Sequence, residues 1–181
     1  VYLKHYDPEV LSREMPELSV VDYLLQRNEK RMHIPALNYF DRIFDHTEVY
    51  ENTCRAANAY ASIGVKRGDI VVCCAPTTPE TVYTFYGLSM LGAVSNMIDP
   101  RYSAEGMREH ILETDSRYVM VIDVAYEKML EAVKGTRVEK VIVVSPAESL
   151  PKLKRFAYCL KNPMKKNMPE GFVGWGEFIE K

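Results

Sequence analysis

Ile70-Val71-Val72-Cys73-Cys74-Ala75 runs straight into Pro76-Thr77-Thr78-Pro79-Glu80, and this stretch decides the fold class. An apolar run without alternation suits a strand covered on both faces, the habit of a parallel sheet. Thr78 is placed to cap a helix and Pro79 to take its first position, where no N–H is needed. Glu80 then sets a negative charge at the positive end of the helix dipole. A two-sided strand feeding a helix is half of a strand–helix–strand unit.

Working outward, the same alternation recurs. The helix begun at Thr78 reaches Leu91 and stops at Gly92, and Ala93–Ile98 is a second strand closed by Asp99-Pro100. Ser103 caps the next helix, with Glu105 in its first turn and Met107, Ile111 and Leu112 facing inward. Tyr118–Ile122 is a third strand, Asp123 caps a helix to Val133 stopped by Gly135, and Val141–Val144 is a fourth strand. Short connections between alternating elements imply right-handed crossovers. The expected fold is α/β: a mainly parallel sheet with helices on both faces.

Upstream, Ser19 with Asp22 three residues on resembles a capping box. Val20, Val21, Leu24 and Leu25 give that helix an apolar face to about Glu29-Lys30. Ala36–Phe40 reads as a strand, Asp41-Arg42 as a turn and Ile43-Phe44 as the return, making a small N-terminal helix–hairpin element. Thr47 is expected to cap the following helix. Val49, Ala56, Ala57, Tyr60, Ala61 and Ile63 supply its core contacts, and Gly64 a left-handed stop.

The chain has 181 residues, with 47% apolar and 27% charged residues and a net charge of −2. These are globular proportions. They exclude a disordered chain and give no global basic field for nucleic acid. Cys54, Cys73, Cys74 and Cys159 form no CxxC pair, and His5, His33, His46 and His110 are scattered, so no metal ligand set is expected. Free thiols fit a reducing, cytoplasmic compartment. The uncharged run Thr81–Ile98 approaches the about 20 residues of a membrane span. Its polar residues and Gly92 read better as a buried helix and then a strand.

Residues 18–150 form the expected core and 151–181 a connector and final segment. Pro151 to Pro169 holds Lys152, Lys154, Arg155, Lys161, Lys165 and Lys166 and no acid. Leu153, Phe156, Ala157 and Leu160 fall at helical spacing, so an amphipathic helix is expected up to Pro163. Two readings of it follow: a connector whose stripe packs on the domain, or weak electrostatic contact with an anionic membrane. The last residues, around Trp175, Phe178 and Ile179, can dock as a short helix.

Phosphate-loop, zinc-protease and hydrolase-elbow motifs are absent. Acid pairs such as Asp22/Glu29 and Glu105/Glu109 read as solvated helix faces. No catalytic residue is nominated.

Gly64-Val65-Lys66-Arg67-Gly68-Asp69, the apolar strand and Pro76-x-x-Pro79-Glu80 together resemble the N-terminal region of acyl-adenylate-forming, AMP-binding enzymes. The likeness continues through Gly87–Val94, Asn96–Arg101 and Ser103-Ala104-Glu105-Gly106, and starts upstream at Phe44–Tyr50. Its flavour is that of bacterial fatty acyl-CoA synthetases. Thr77 departs from the family's usual Asn, and Glu48-Val49-Tyr50 from its Tyr-x-Glu-Leu helix start.

The resemblance implies a parent enzyme that joins a carboxylate, fatty in this flavour, to ATP and passes the acyl group to CoA, with magnesium. It places the phosphate loop, the nucleotide contacts and the adenylation lysine after Lys181. With no initiator Met at Val1, the chain is expected to be an N-terminal piece, inactive alone and binding no cofactor itself. The alternative is a stand-alone, non-catalytic binding module of the same fold. Arg101, at the carboxyl end of a strand, is the one nominated contact, with a CoA phosphate; its bland reading is an ion pair with Glu105. A cut subdomain is also expected to self-associate through exposed apolar surface.

Overall fold

The computed structural model describes residues 2–14, 16–162 and 168–180. A 3₁₀ turn and the short helix α1 (Pro8–Leu11) precede α2 (Val20–Asn28), the antiparallel hairpin of β1 (Pro35–Tyr39) and β2 (Arg42–Asp45), and α3 (His46–Ser62). Then come β3 (Ile70–Cys74), α4 (Pro79–Met90), β4 (Val94–Met97), α5 (Ala104–Glu113), β5 (Tyr118–Ile122), α6 (Tyr126–Ala132) and β6 (Lys140–Val144). The chain ends with α7 (Lys152–Lys161), β7 (Phe172–Gly174) and α8 (Trp175–Ile179).

The main sheet has five parallel strands in the order β4-β3-β5-β6-β7. Strand β3 therefore pairs on both edges: Cys73 stands opposite Met97 on one side and Met120 on the other. Its residues from Val71 to Cys74 are buried, as is all of β5. Neighbouring thiols Cys73 and Cys74 point to opposite faces, and both are enclosed.

The winding reverses at β3. Helix α4 carries the chain one way to β4, and α5 carries it back past β3 to β5. Right-handed crossovers put these two helices on opposite faces. Helix α3 packs against α4 and α8, with the Tyr60 and Phe178 rings 4.9 Å apart, while α5 packs against α6. The expected two-layered cover is present.

Several local expectations are corrected. Asp45, not Thr47, caps α3, accepting from the Glu48 amide at 2.8 Å; the Thr47 hydroxyl donates to Met32 O instead. The hairpin turns at Phe40-Asp41, both at positive φ, one residue earlier than expected. Leu112, Ala61 and Val20 point to solvent, because each lies one step off its helix's buried stripe; Ala59 takes the inward place in α3. Asp123 opens a 3₁₀ turn without capping it, and its carboxylate accepts from the Tyr158 hydroxyl at 3.2 Å. The final segment is not only a helix: Phe172–Gly174 adds a fifth strand beside β6. The stripe Leu153, Phe156, Leu160 of α7 faces away from the domain, so the connector does not pack through it. Pro163, Lys165 and Lys166 lie outside the described residues. Among the described residues, no helix is long and apolar enough to cross a membrane. The uncharged run is α4 and β4.

At Gly87 the backbones of α3 and α4 nearly touch. A β-carbon there would sit 2.9 Å from the Ala57 nitrogen and 3.2 Å from the Thr53 oxygen. Both are rigid helix backbone, so the helices must separate. Gly87→Ala is expected to cost about 1–3 kcal/mol, read as a lowered thermal midpoint; an unchanged or higher midpoint would show that the helices part freely.

Candidate functional site

Open parallel sheets bind ligands at the carboxyl ends of their strands, where the winding reverses. Here that edge lies beside β3 and β5. The turn after β3 is fixed by hydroxyls: Thr78 Oγ1 accepts from the Thr81 amide at 3.3 Å, and Thr81 Oγ1 donates to Pro76 O at 2.9 Å. Thr77 is exposed on this turn, so its departure from the family's usual residue alters no buried contact.

Glu80 follows in the first turn of α4. Rather than lying in solvent near the helix end, its side chain is buried, 1% exposed. Ser149, in the loop after β6, donates its hydroxyl to Glu80 Oε1. Glu80 Oε2 and the Tyr83 hydroxyl are buried without a hydrogen-bond partner among the described residues. Burial pushes the Glu80 carboxyl above its ordinary range, and the Ser149 hydrogen bond only partly offsets this. Glu148, also half-buried, is raised by burial too, with a contribution from Glu80 nearby.

These groups form the floor of a polar cleft of about 720 Å³. Its walls include Arg42, Glu48, Arg55 and Trp175. Arg42 is held by Glu48 at 2.7 Å and lies over the Phe44 ring. Carboxylates outnumber cations around the cleft, so its chemistry favours hydrogen-bond donors and positive groups. Nothing adjacent in the sequence points to this cleft: Glu80 reads there as a helix-dipole partner, and Ser149 reaches it from 69 residues away.

Arg101 lies elsewhere. It follows the edge strand β4, away from the reversal point, with a side chain 89% exposed. Its guanidinium forks onto Asp99, Nε 3.0 Å from each carboxylate oxygen and Nη2 2.5 Å from Oδ2. The partner is thus Asp99, not Glu105. That fork holds the Asp99 carboxyl down at about 2. Lys128 pins the same loop by donating to Pro100 O and Tyr102 O at 2.7 and 2.8 Å.

Among the described residues, no group of three or more His, Cys, Asp or Glu converges to hold a metal ion. The residues present do not fit a magnesium site, and no step is assigned to one on this chain. Burial pushes the Cys73 and Cys74 thiols up to about 12, which leaves little thiolate for chemistry.

A family model described as AMP-binding enzyme matches residues 24–170, from within α2 through strands β3 to β6 and helix α7. The chain belongs to this family. The acetyl-coenzyme A synthetase of Brucella canis is 34% identical over 85 residues, which cover 47% of this chain and 13% of that protein. Its counterpart in Brucella abortus matches equally. Among solved structures, the coronafacic acid ligase of Pectobacterium brasiliense superposes with a TM-score of 0.75 at 16% identity, over 91% of this chain and 30% of that one. An anthranilate CoA ligase in complex with anthranoyl-AMP superposes with a TM-score of 0.70 at 19% identity, over 92% and 29%. The fold is that of the N-terminal region of AMP-binding CoA ligases, and the chain spans a small fraction of these relatives' length.

Glu80 gives a signed pH dependence. A carboxyl raised by folding contributes most below its unfolded value of about 4.3, and that contribution fades as pH rises through the folded value. Glu80→Gln removes the fade. The variant's thermal midpoint is expected to gain on the wild type as pH rises from about 4.3 towards neutrality. A difference that stays flat across that range would mean the carboxyl is not strained by burial.

Proposed function

We propose that this chain is the N-terminal subdomain of an ATP-dependent, AMP-forming acyl-CoA synthetase acting on a fatty acid in the cytoplasm. The parent reaction joins a carboxylate to ATP, releasing pyrophosphate and leaving acyl-AMP. The CoA thiol then displaces AMP to give acyl-CoA. The observation that carries this reading is the family match over residues 24–170, laid on a parallel sheet whose winding reverses at β3. In the reading, the chain provides scaffold and one wall of the substrate region, and the groups that handle ATP and magnesium come from sequence beyond it. The fatty substrate rests on the motif flavour of Gly64–Glu80 and Gly87–Arg101.

Adenylation is tested by pyrophosphate release with ATP, magnesium and carboxylates of increasing length. The 181 residues alone are expected to match the blank, and the protein encoded by the whole reading frame to turn over medium or long chains. Turnover by the 181 residues alone would overturn the scaffold role. A reading frame that stops at Lys181 would favour a non-catalytic module of the same fold.

Within this reading Arg101 serves a phosphate of CoA, exchanging the Asp99 carboxylate for it. Its planar fork of donors suits either anion. Arg101→Ala in the whole enzyme is expected to raise KM for CoA about tenfold, a loss of one charge-assisted contact, with KM for ATP unchanged. Equal effects on both constants, or none, would leave Arg101 as a surface ion pair.

A further inference from the structure

Helix α7 is built inside out. At about 100° per residue, Leu153, Phe156, Ala157 and Leu160 share one face, and Lys154 and Tyr158 lie on the other. The polar side holds the helix to the domain. Tyr158 donates to Asp123 at 3.2 Å, and Lys154 donates to Phe40 O and to Asp41 at 3.0 and 2.7 Å. The apolar stripe faces out, with Leu153, Phe156 and Leu160 exposed by 81, 64 and 69%.

A second exposed apolar group lies beside it. Phe40, at the tip of the β1–β2 hairpin, is 58% exposed and carries a positive φ of 51°. Such a turn position favours Asn or Gly, and a bulky residue there is strained. The Lys154 ammonium sits 5.8 Å from the Phe40 ring centre, which joins hairpin tip and helix into one surface.

The charge along the helix has one sign, and the acid at the hairpin tip, Asp41, is held by Lys154. Lys152 and Lys161 flank the stripe on opposite sides, Arg155 lies behind it, and no acid occurs between Pro151 and Asn162. Two copies meeting stripe to stripe would bring these cations together. A negatively charged surface would not. The helix is about 15 Å long, half the roughly 30 Å of a bilayer core, so it can lie in an interface but not cross it.

We propose that α7 and the Phe40 tip form a peripheral binding surface for anionic phospholipid membrane. The helix lies in the membrane plane with its stripe among the acyl chains and its lysines at the headgroups. This goes beyond the proposed catalytic role and does not depend on it.

The test is co-sedimentation of the chain with vesicles of phosphatidylcholine mixed with phosphatidylglycerol, against phosphatidylcholine alone. Binding is expected only with the anionic lipid, weakening in about 1 M salt, where screening acts within about 3 Å. Lys152→Glu with Lys161→Glu is expected to weaken binding about tenfold or more. Leu153→Ser with Phe156→Ser and Leu160→Ser is expected to weaken it similarly without lowering the thermal midpoint, since the stripe faces solvent. Phe40→Asn should raise the midpoint while weakening binding, a pairing that a merely structural residue would not give. Equal binding to both lipids, none to either, or variants that bind like the wild type would overturn the proposal. So would a concentration-dependent dimer abolished by the serine variant, which would make a second copy the occupant. Should the serine variant fail to fold, the charge reversal and Phe40→Asn carry the test.

Discussion

Strand β3 is the constraint on which the rest of the structure rests. It is the first strand of the sheet in the chain, yet it ends up between β4 and β5, hydrogen-bonded along both edges. Both of its faces are also covered. A strand so placed must be apolar on every side chain, which Val71-Val72-Cys73-Cys74 satisfies without bulk. The reversal of winding around it then dictates where helices go, and the divergence of the loops after β3 and β5 opens the ligand edge. The polar cleft and the docking of α7 on Asp123, just after β5, lie along that edge, and the Arg101 loop stands apart at the end of β4.

What the sequence made legible was what local chemistry alone decides. Thr78-Pro79 announces a helix start because cap and missing N–H act within one turn, and Gly64, Gly92 and Gly135 stop helices through their own positive φ. Strand β5 was readable residue for residue because an unbroken apolar run has one sensible state between two helices. Strand β7 was not. Phe172-Val173-Gly174 is too short to show a period, and it is a strand only because the exposed edge of β6 offers Val141–Val143 as a template. Cap choice failed where two oxygens competed: Asp45 and Thr47 both stand near the start of α3, and the hairpin fixes Asp45 in the extended conformation that a cap requires.

The cleft was illegible for a different reason. Glu80 beside a helix start is ordinarily a solvated dipole partner, and its neighbours in sequence give no other hint. It is buried because Ser149 arrives from the loop after β6, 69 residues away, and closes over it. A buried carboxyl with one oxygen, and the buried Tyr83 hydroxyl, unpartnered among the described residues are costly. Arg101 shows the opposite case. Its position at a strand end was evident, but its partner depended on loop geometry, and Asp99 lies closer than Glu105 because the loop folds back on itself in two residues.

Helix α7 separates two properties that sequence periodicity merges. Spacing of apolar residues at three and four reveals that a helix has two faces; it says nothing about which face meets the protein. In most helices the question does not arise, because burying an apolar stripe of this size against the domain is worth several kcal/mol. Here the domain forgoes that gain. It holds the helix through a tyrosine hydroxyl and an exposed lysine, and leaves two leucines and a phenylalanine in water. At the same corner it keeps a phenylalanine in a backbone conformation that a smaller residue would adopt without strain. Two independent losses at one surface, beside strands β3 and β5 whose side chains from Val71 to Cys74 and from Tyr118 to Ile122 are buried, are a physical signature of surface shaped for contact rather than for folding. The lysines on either side of the stripe then specify the sign of what it meets.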